Sequence, residues 1–121
     1  MQRPVSLVLG ASPDPARYAF MAVRSLLRHG HRVVAVGRRD GAIDGVPILH
    51  GIPDGTPIDT VTVYLNPVHL AQWTDRLLAL HPRRVILNPG AEDPLAAARM
   101  RSHGIEVVEA CTLVLLSTGA Y

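Results

Sequence analysis

The sequence has little of several residue types, and each shortage excludes a class of protein. Its single cysteine, Cys111, excludes an internal disulfide framework and is typical of the reducing cytoplasm. No apolar run approaches the roughly 18 residues of a spanning helix, so we expect no membrane partner. Residues 1–4 lead directly into a predicted strand, which argues against a signal peptide. Charged residues make up 18% of the chain and hydrophobic residues 48%, which excludes disorder.

Lysine is absent, and all 12 basic residues are arginines. The chain has only one Trp, three Tyr and one Phe, and no basic run is interleaved with them, so nucleic acid is not an expected partner. Residues 1–40 hold seven arginines against Asp14 and Asp40, a net charge of +5, whereas the remainder carries −3. The positive charge therefore gathers in the first third of the chain.

Apolar strands alternate with amphipathic helices along the sequence. We predict strands at 5–9, 33–36, 61–65, 84–87 and 105–108, and helices at 17–29, 68–80, 94–103 and 112–117. The segment 41–57 is rich in Gly, Pro and Asp and is predicted as loop, with a short edge strand at 46–49 as an option.

This alternation predicts parallel pairing through right-handed crossovers, and the nearly continuous apolar strands predict a sheet buried on both faces. The fold class is therefore α/β: a three-layer α/β/α sandwich around a doubly wound, parallel five-stranded sheet. A chain of 121 residues is long enough for one such domain, which we place at residues 1–121.

A turn of small residues, Gly10-Ala11-Ser12, joins the first predicted strand to the first helix. Such a turn lets a ligand approach the backbone, and a helix start offers unpaired N–H groups and the positive end of the helix dipole. The pattern predicts a nucleotide or a nucleotide-like cofactor. Asn66-Pro67 and Asn88-Pro89-Gly90 also follow strand ends, so we expect all three turns on one edge of the sheet.

The first loop departs from the dinucleotide-binding fingerprint, because the second and third glycines of G-x-G-x-x-G are missing. Arg38 and Arg39 follow Gly37 at the end of the second strand, where a ribose-binding carboxylate would stand. Two guanidiniums favour a phosphate near the adenosine ribose, which NADP and coenzyme A both carry. The alternative is that both arginines are solvated loop charges.

Several short motifs occur in a characteristic order. Gly10-Ala11-Ser12-Pro13 is followed by Arg17 near the start of the first helix. Further along come Ile43-Asp44-Gly45-Val46-Pro47, Ile58-Asp59-Thr60-Val61, Asn88-Pro89-Gly90-Ala91-Glu92 and Gly104-Ile105-Glu106-Val107-Val108, with Cys111 near the end. Over nearly its whole length the chain resembles the small stand-alone CoA-binding proteins, whose domain is similar to the CoA-binding domain of the succinyl-CoA synthetase alpha subunit.

The resemblance implies a Rossmann-like domain that binds coenzyme A or an acyl-CoA. It implies that the loop Gly10-Ala11-Ser12-Pro13 and the first helix hold the pyrophosphate, with Arg17 as a phosphate contact. It also implies that Gly37, Arg38 and Arg39 approach the adenosine and its phosphate.

For the rest of the ligand, the resemblance places Asn66 and Pro67 on the adenosine side of the crevice. It places Asn88, Pro89 and Gly90 beside the pantetheine path. The chain departs from the family at two points: Arg38-Arg39 stand where an Asn-Pro pair is common, and Leu113–Leu116 are apolar where the family tail is polar and acidic.

No set of residues forms a complete catalytic constellation, so we expect a binding module and name no catalytic residue. His69, close to Asn66, is the one histidine kept as a pocket candidate. No cluster has metal-ligand spacing, and Ser12 lacks the G-x-S-x-G elbow of a nucleophile. Cys111 has two interpretations, a core cysteine or a partner for the thiol of coenzyme A.

Three hypotheses therefore remain open. The first is non-catalytic binding of coenzyme A or an acyl-CoA. The second is a small NADP-dependent oxidoreductase, which would use Arg38 and Arg39 in the same way. The third is an interaction domain with a decayed nucleotide pocket, in which the apolar residues 113–116 would form the face of a homodimer.

Overall fold

The computed structural model describes residues 4–121 and shows an α/β fold. The strands are β1 (Val5–Leu9), β2 (Arg32–Val36), β3 (Ala42–Ile43), β4 (Val46–Leu49), β5 (Thr60–Val63), β6 (Arg84–Leu87) and β7 (Glu106–Glu109). The helices are α1 (Tyr18–Arg28), α2 (Pro67–Leu80), α3 (Pro94–Ser102) and α4 (Thr112–Ser117). The predicted alternation of strands and helices is confirmed.

The seven strands form one sheet in the order β3-β4-β2-β1-β5-β6-β7. All pairs are parallel except β3 with β4. The chain builds outward from β1 through β2 and β4, then returns to the other side of β1 to add β5, β6 and β7. This reversal beside β1 is a switch point, and ligand crevices of open α/β sheets form beyond the strand ends there.

Alternate side chains of β1 enter two different hydrophobic clusters. Leu7 packs with residues of α2 and α3, among them Leu77. Val8 packs with residues of α1 and α4, among them Val23 and Leu116. Because successive strand residues point to opposite faces, helices lie against both faces of the sheet. Leu7 and Leu77 are fully buried, and each such side chain contributes about 1.5–3 kcal/mol to the free energy of unfolding.

The predicted count of five strands is wrong, because β3 and β4 extend the sheet to seven. The optional edge strand at 46–49 is confirmed as β4, but β3 was predicted as loop. Asp44 and Gly45 join the two strands with φ of 46° and 86°, the left-handed pair of a tight hairpin turn. Asp-Gly is a strong hairpin signal, and the Gly- and Pro-rich composition around it concealed that signal.

The helix starts differ in how their free N–H groups are satisfied. The side chain of Asn66 accepts a hydrogen bond from His69 N and caps α2, and that of Asp93 accepts from Leu95 N and Ala96 N and caps α3. Both helices carry proline at the first position. By contrast, α1 begins after Arg17, whose side chain caps nothing.

None of the helices within residues 4–121 is long and apolar enough to cross a membrane.

Candidate ligand-binding crevice

A crevice of about 750 Å³ opens at the carboxyl ends of the central strands. It lies at the switch point, between the ends of β1, β2 and β5 and the first turns of α1 and α2. Its lining residues are Leu9, Gly10, Ala11, Ser12, Arg17, Tyr18, Ala19, Val36, Gly37, Arg38, Arg39, His50, Tyr64, Leu65, Asn66, His69, Gln72 and Trp73. Crevices of this position and size hold ligands in other doubly wound proteins.

Two glycines allow the floor of the crevice to form. Gly10 has a φ of 95°, and a Cβ there would lie 2.9 Å from Tyr64 O. A Cβ on Gly37 would lie 2.1 Å from Ala11 O. The loop after β1 therefore lies directly against the end of β2, and no side chain fits between them.

The backbone of the first loop is held by the neighbouring strand. The N–H groups of Gly10 and Ala11 both donate to Val36 O, at 2.8 and 2.9 Å. These two donors are therefore already bonded and do not face a ligand. Ser12 Oγ accepts a hydrogen bond from Asp14 N at 3.1 Å, which shapes the turn into α1.

The start of α1 supplies the free donors. The first backbone bond into this helix runs from Met21 N to Arg17 O, so the N–H groups of Tyr18, Ala19 and Phe20 have no acceptor among residues 4–121. Tyr18 and Ala19 line the crevice. A positive side chain, Arg17, occupies the N-cap position and meets only Asp14, at 3.9 Å. A cation there is unfavourable to the helix dipole, so a bound anion would relieve the repulsion.

Three arginines line the crevice, and they are weakly paired. Arg38 and Arg39 are exposed and make no ion pair with the described part of the chain, and Arg17 has only the long contact to Asp14. Four arginines elsewhere are matched with carboxylates at 2.8–3.3 Å; these are Arg24, Arg76, Arg83 and Arg99. The crevice therefore holds guanidiniums that are available to an anionic ligand.

The structure brings most of the predicted site residues together. Eight line the crevice: Gly10, Ala11, Ser12, Arg17, Gly37, Arg38, Arg39 and Asn66. Five do not: Pro13, Pro67, Asn88, Pro89 and Gly90. Pro13 instead packs beside Gly41, where a Cβ would lie 2.7 Å from Pro13 Cβ, and Pro67 is the first residue of α2.

Asn88 is buried, and its side chain joins three elements. Its Nδ2 donates to Thr62 Oγ1 at 2.7 Å and to Val63 O at 2.9 Å on β5, and its Oδ1 accepts from Thr112 N at the start of α4. Both N–H bonds of the amide are thus used within the fold. Pro89 and Gly90 are exposed beside it.

Sequence reasoning did not assign Tyr18, His50, Tyr64, Gln72 or Trp73 to the crevice. Trp73 packs against the larger hydrophobic cluster and also lines the crevice. Gln72 and Trp73 lie six and seven residues after the N-cap Asn66, close to one helical turn beyond His69, which was the predicted pocket histidine. The helical spacing of Gln72 and Trp73 from Asn66 and His69 was the signal in the sequence that could have placed them at the crevice.

Tyr64 is half-buried at the edge of the crevice, and its hydroxyl group is fully buried. Its hydroxyl has no hydrogen-bond partner within residues 4–121, although the hydroxyls of Thr62 and Thr112, which bond to each other at 2.7 Å, lie near it. Burial is the largest cause that raises the pKa of Tyr64 to about 12. The side chain is therefore neutral at physiological pH.

Cys111 is half-buried at the N-cap position of α4 and is not among the residues that line the crevice. His29, His81 and His103 are the C-cap residues of α1, α2 and α3. The described residues contain no group of three or more His, Cys, Asp or Glu side chains placed to hold a metal ion.

The fold and the crevice define the chain as a Rossmann-like α/β protein with a cationic crevice at the switch point. The sequence pattern of the family described as a CoA binding domain matches residues 5–117, so the chain belongs to that family. The predicted family is confirmed. A comparison with curated proteins gave no match.

Solved structures share the fold along the whole chain. An uncharacterized protein is 40% identical, with a TM-score of 0.94 and full coverage of both chains. A protein from Thermus thermophilus is 30% identical, with a TM-score of 0.85, and the alignment covers 98% of this chain and 91% of that one. A dinucleotide-forming acetyl-coenzyme A synthetase from Ca. Korarchaeum cryptofilum, solved with phosphate and ADP, shares the fold at 18% identity and a TM-score of 0.72, over 89% of this chain and 26% of that one.

Proposed function

We propose that this protein binds coenzyme A or an acyl-CoA in the crevice and carries out no chemistry on it alone. One observation carries the proposal: the uncapped start of α1 and the unpaired Arg38 and Arg39 line the same crevice. Membership of the CoA binding domain family names the ligand that fits these two features.

The residues present fit the anionic groups of coenzyme A. The free N–H groups of Tyr18 and Ala19, with Arg17 beside them, suit the pyrophosphate, because a helix start and a guanidinium both favour negative charge. Arg38 and Arg39 suit the phosphate on the adenosine ribose. Gly10 and Gly37 let the loop after β1 pack directly against the ends of β5 and β2, so that this loop forms the floor of the crevice.

The remaining arms of the ligand follow from these contacts. Asn66 lines the crevice where the adenosine side is proposed, with Pro67 next to it, and the half-buried Trp73 offers an apolar surface. The pantetheine arm would run toward Asn88, Pro89 and Gly90 at the end of β6.

The helices against both faces of the sheet also support the three-layer α/β/α arrangement.

The absence of catalysis by this chain alone is proposed because no hydrogen bond among residues 4–121 joins Ser12 to His50 or His69, the two histidines that line the crevice. Ser12 accepts a backbone hydrogen bond, and His69 lies on α2 with no described side-chain partner. NADP is the second candidate ligand, since its ribose phosphate suits Arg38 and Arg39 equally.

Tryptophan fluorescence reports ligand binding directly, because Trp73 is the only tryptophan in the chain and lines the crevice. Its fluorescence should change in a saturable way on titration with coenzyme A. Arg38→Gln should weaken binding about fivefold or more, whereas Arg32→Gln, at the opposite end of the same strand, should leave it unchanged. A spectrum that stays constant up to millimolar coenzyme A, with no heat of binding, would overturn the proposal.

A further inference from the structure

His50 lies at a strand end beside the arginines of the crevice. In the parallel pair of β2 and β4, Val36 is opposite Leu49, and Gly37 N donates to Leu49 O at 2.9 Å. His50 follows Leu49 directly, as Arg38 follows Gly37. The register therefore brings the imidazole and the guanidiniums to one corner, and all of them line the crevice.

A carboxylate fixes the orientation of this imidazole. His50 Nε2 donates to Asp40 Oδ1 at 2.8 Å, and Nδ1 has no partner within the described residues. Asp40 itself is exposed and accepts no other side-chain bond there. One ring nitrogen is therefore anchored, and the other is left for a ligand.

The charges of this corner are not balanced for a phosphate. Arg38 and Arg39 carry two positive charges and Asp40 one negative charge, which leaves a net +1. A phosphate monoester carries about −1.5 to −2 at pH 7. A protonated His50 would supply the missing positive charge. The other titratable or charged residues that line the crevice are Arg17, Tyr18, Tyr64 and His69.

We propose that His50, held by Asp40, distinguishes a phosphorylated adenosine ribose from an unphosphorylated one, and does so when its imidazole is protonated. The inference rests on the proposed function. With Nε2–H bonded to Asp40, Nδ1 bears a proton only in the imidazolium, and the ionised oxygens of a phosphate accept hydrogen bonds but cannot donate them. A neutral ring would present a lone pair to the phosphate. The preference for the phosphate should therefore grow as pH falls.

The test measures dissociation constants of coenzyme A and dephospho-coenzyme A at pH 6 and pH 8, and takes their ratio as the phosphate preference. Three variants are compared with the unchanged protein: His50→Gln, His50→Lys and His103→Gln. His103 is an exposed helix cap that bonds within its own helix, so His103→Gln is the matched control. The same ratio for NAD and NADP tests whether the ribose phosphate of either ligand is recognised.

When pH falls from 8 to 6, the phosphate preference of the unchanged protein and of His103→Gln should rise about threefold to fivefold more than that of His50→Gln. This difference is the size of one exposed charge contact. Comparing each phosphate preference with that of His50→Gln cancels the change in affinity that comes from protonation of the phosphate itself. His50→Lys, charged at both pH values, should show a high preference at both and follow the pH dependence of His50→Gln.

Two outcomes overturn the inference and differ in what they leave standing. If coenzyme A binds but the unchanged protein and His50→Gln share one pH dependence, the role of His50 is wrong and the proposed function stands. If no variant binds coenzyme A at either pH, the proposed function fails and the role of His50 fails with it.

Discussion

At the scale of single residues, close backbone contacts shape the crevice. The position that tolerates least is Gly37, because a Cβ there would lie 2.1 Å from Ala11 O, a backbone atom that cannot rotate away. Tyr64 shows the opposite feature, a polar group that the fold buries without a partner. The sequence contains both residues but does not reveal either property, since each depends on which strand lies alongside.

Gly37→Ala should destabilise the protein by about 2–4 kcal/mol, because the loop after β1 must move away from β2 to admit the methyl group. Gly51→Ala is the matched control: a Cβ there meets nothing within 4 Å, and the change should stay within about 0.5 kcal/mol. Urea unfolding followed by circular dichroism measures both. Equal stabilities for the two variants would contradict the close approach of the two segments.

Tyr64→Phe should leave stability unchanged or raise it by up to about 1 kcal/mol at pH 7, because it removes a buried hydroxyl without a partner. The stability of Tyr64→Phe should also differ from that of the unchanged protein at high pH. The pKa of Tyr64 is about 12 in the folded state and near 10 in the unfolded state. The shift therefore contributes its full amount to the free energy of unfolding below pH 10, and this contribution is lost as pH rises toward 12.

Unfolding midpoints at pH 8 and pH 11 test the role of the Tyr64 phenol. The unchanged protein should lose more stability between these two values than Tyr64→Phe does. A loss of 2 kcal/mol or more in Tyr64→Phe at pH 7 would show instead that the hydroxyl has a partner that matters.

At the scale of helices and strands, local signals in the sequence predicted most elements. The helix predicted to start at residue 94 is present and begins there, with Pro94 at its first position and Asp93 as its cap. The hairpin at Asp44-Gly45 was missed although its signal is short-range, because the surrounding composition favoured loop. The role of Asn88 could not be predicted, since it depends on β5 and α4 meeting beside β6 in space.

The missing cap of α1 gives a prediction in which stability and binding change in opposite directions. Arg17→Asp places a good N-cap residue and a negative charge at the helix start. It should stabilise the protein by about 0.5–2 kcal/mol and weaken coenzyme A binding at least tenfold. Asp93→Ala, which removes the cap of α3, should cost about 1 kcal/mol and leave binding unchanged.

Differential scanning calorimetry and isothermal titration of the same preparations measure both quantities. Arg17→Asp protein that is more stable and still binds coenzyme A with unchanged affinity would show that the start of α1 does not hold the phosphates. Unchanged stability in Arg17→Asp would show that the cap position is already satisfied.

At the scale of the whole molecule, the order of strands determines where a ligand can bind. Sequence reasoning placed the crevice on the carboxyl edge because parallel strands bring their ends together, and Gly10, Gly37 and Asn66 do meet there. It could not identify His50, which reaches the crevice only because β4 pairs with β2. A homodimer through the apolar residues 113–116, where Val114 is exposed, stays a prediction.

The most direct test of coenzyme A binding is the melting temperature with coenzyme A, dephospho-coenzyme A and NADP, each at the same excess. A ligand at about 100 times its dissociation constant adds roughly 2.7 kcal/mol, or several degrees for a domain of this size. Coenzyme A should raise the melting temperature most, and dephospho-coenzyme A less, because it lacks the phosphate that we propose contacts Arg38 and Arg39. A rise with NADP alone, or none with any ligand, would contradict coenzyme A as the ligand of this crevice.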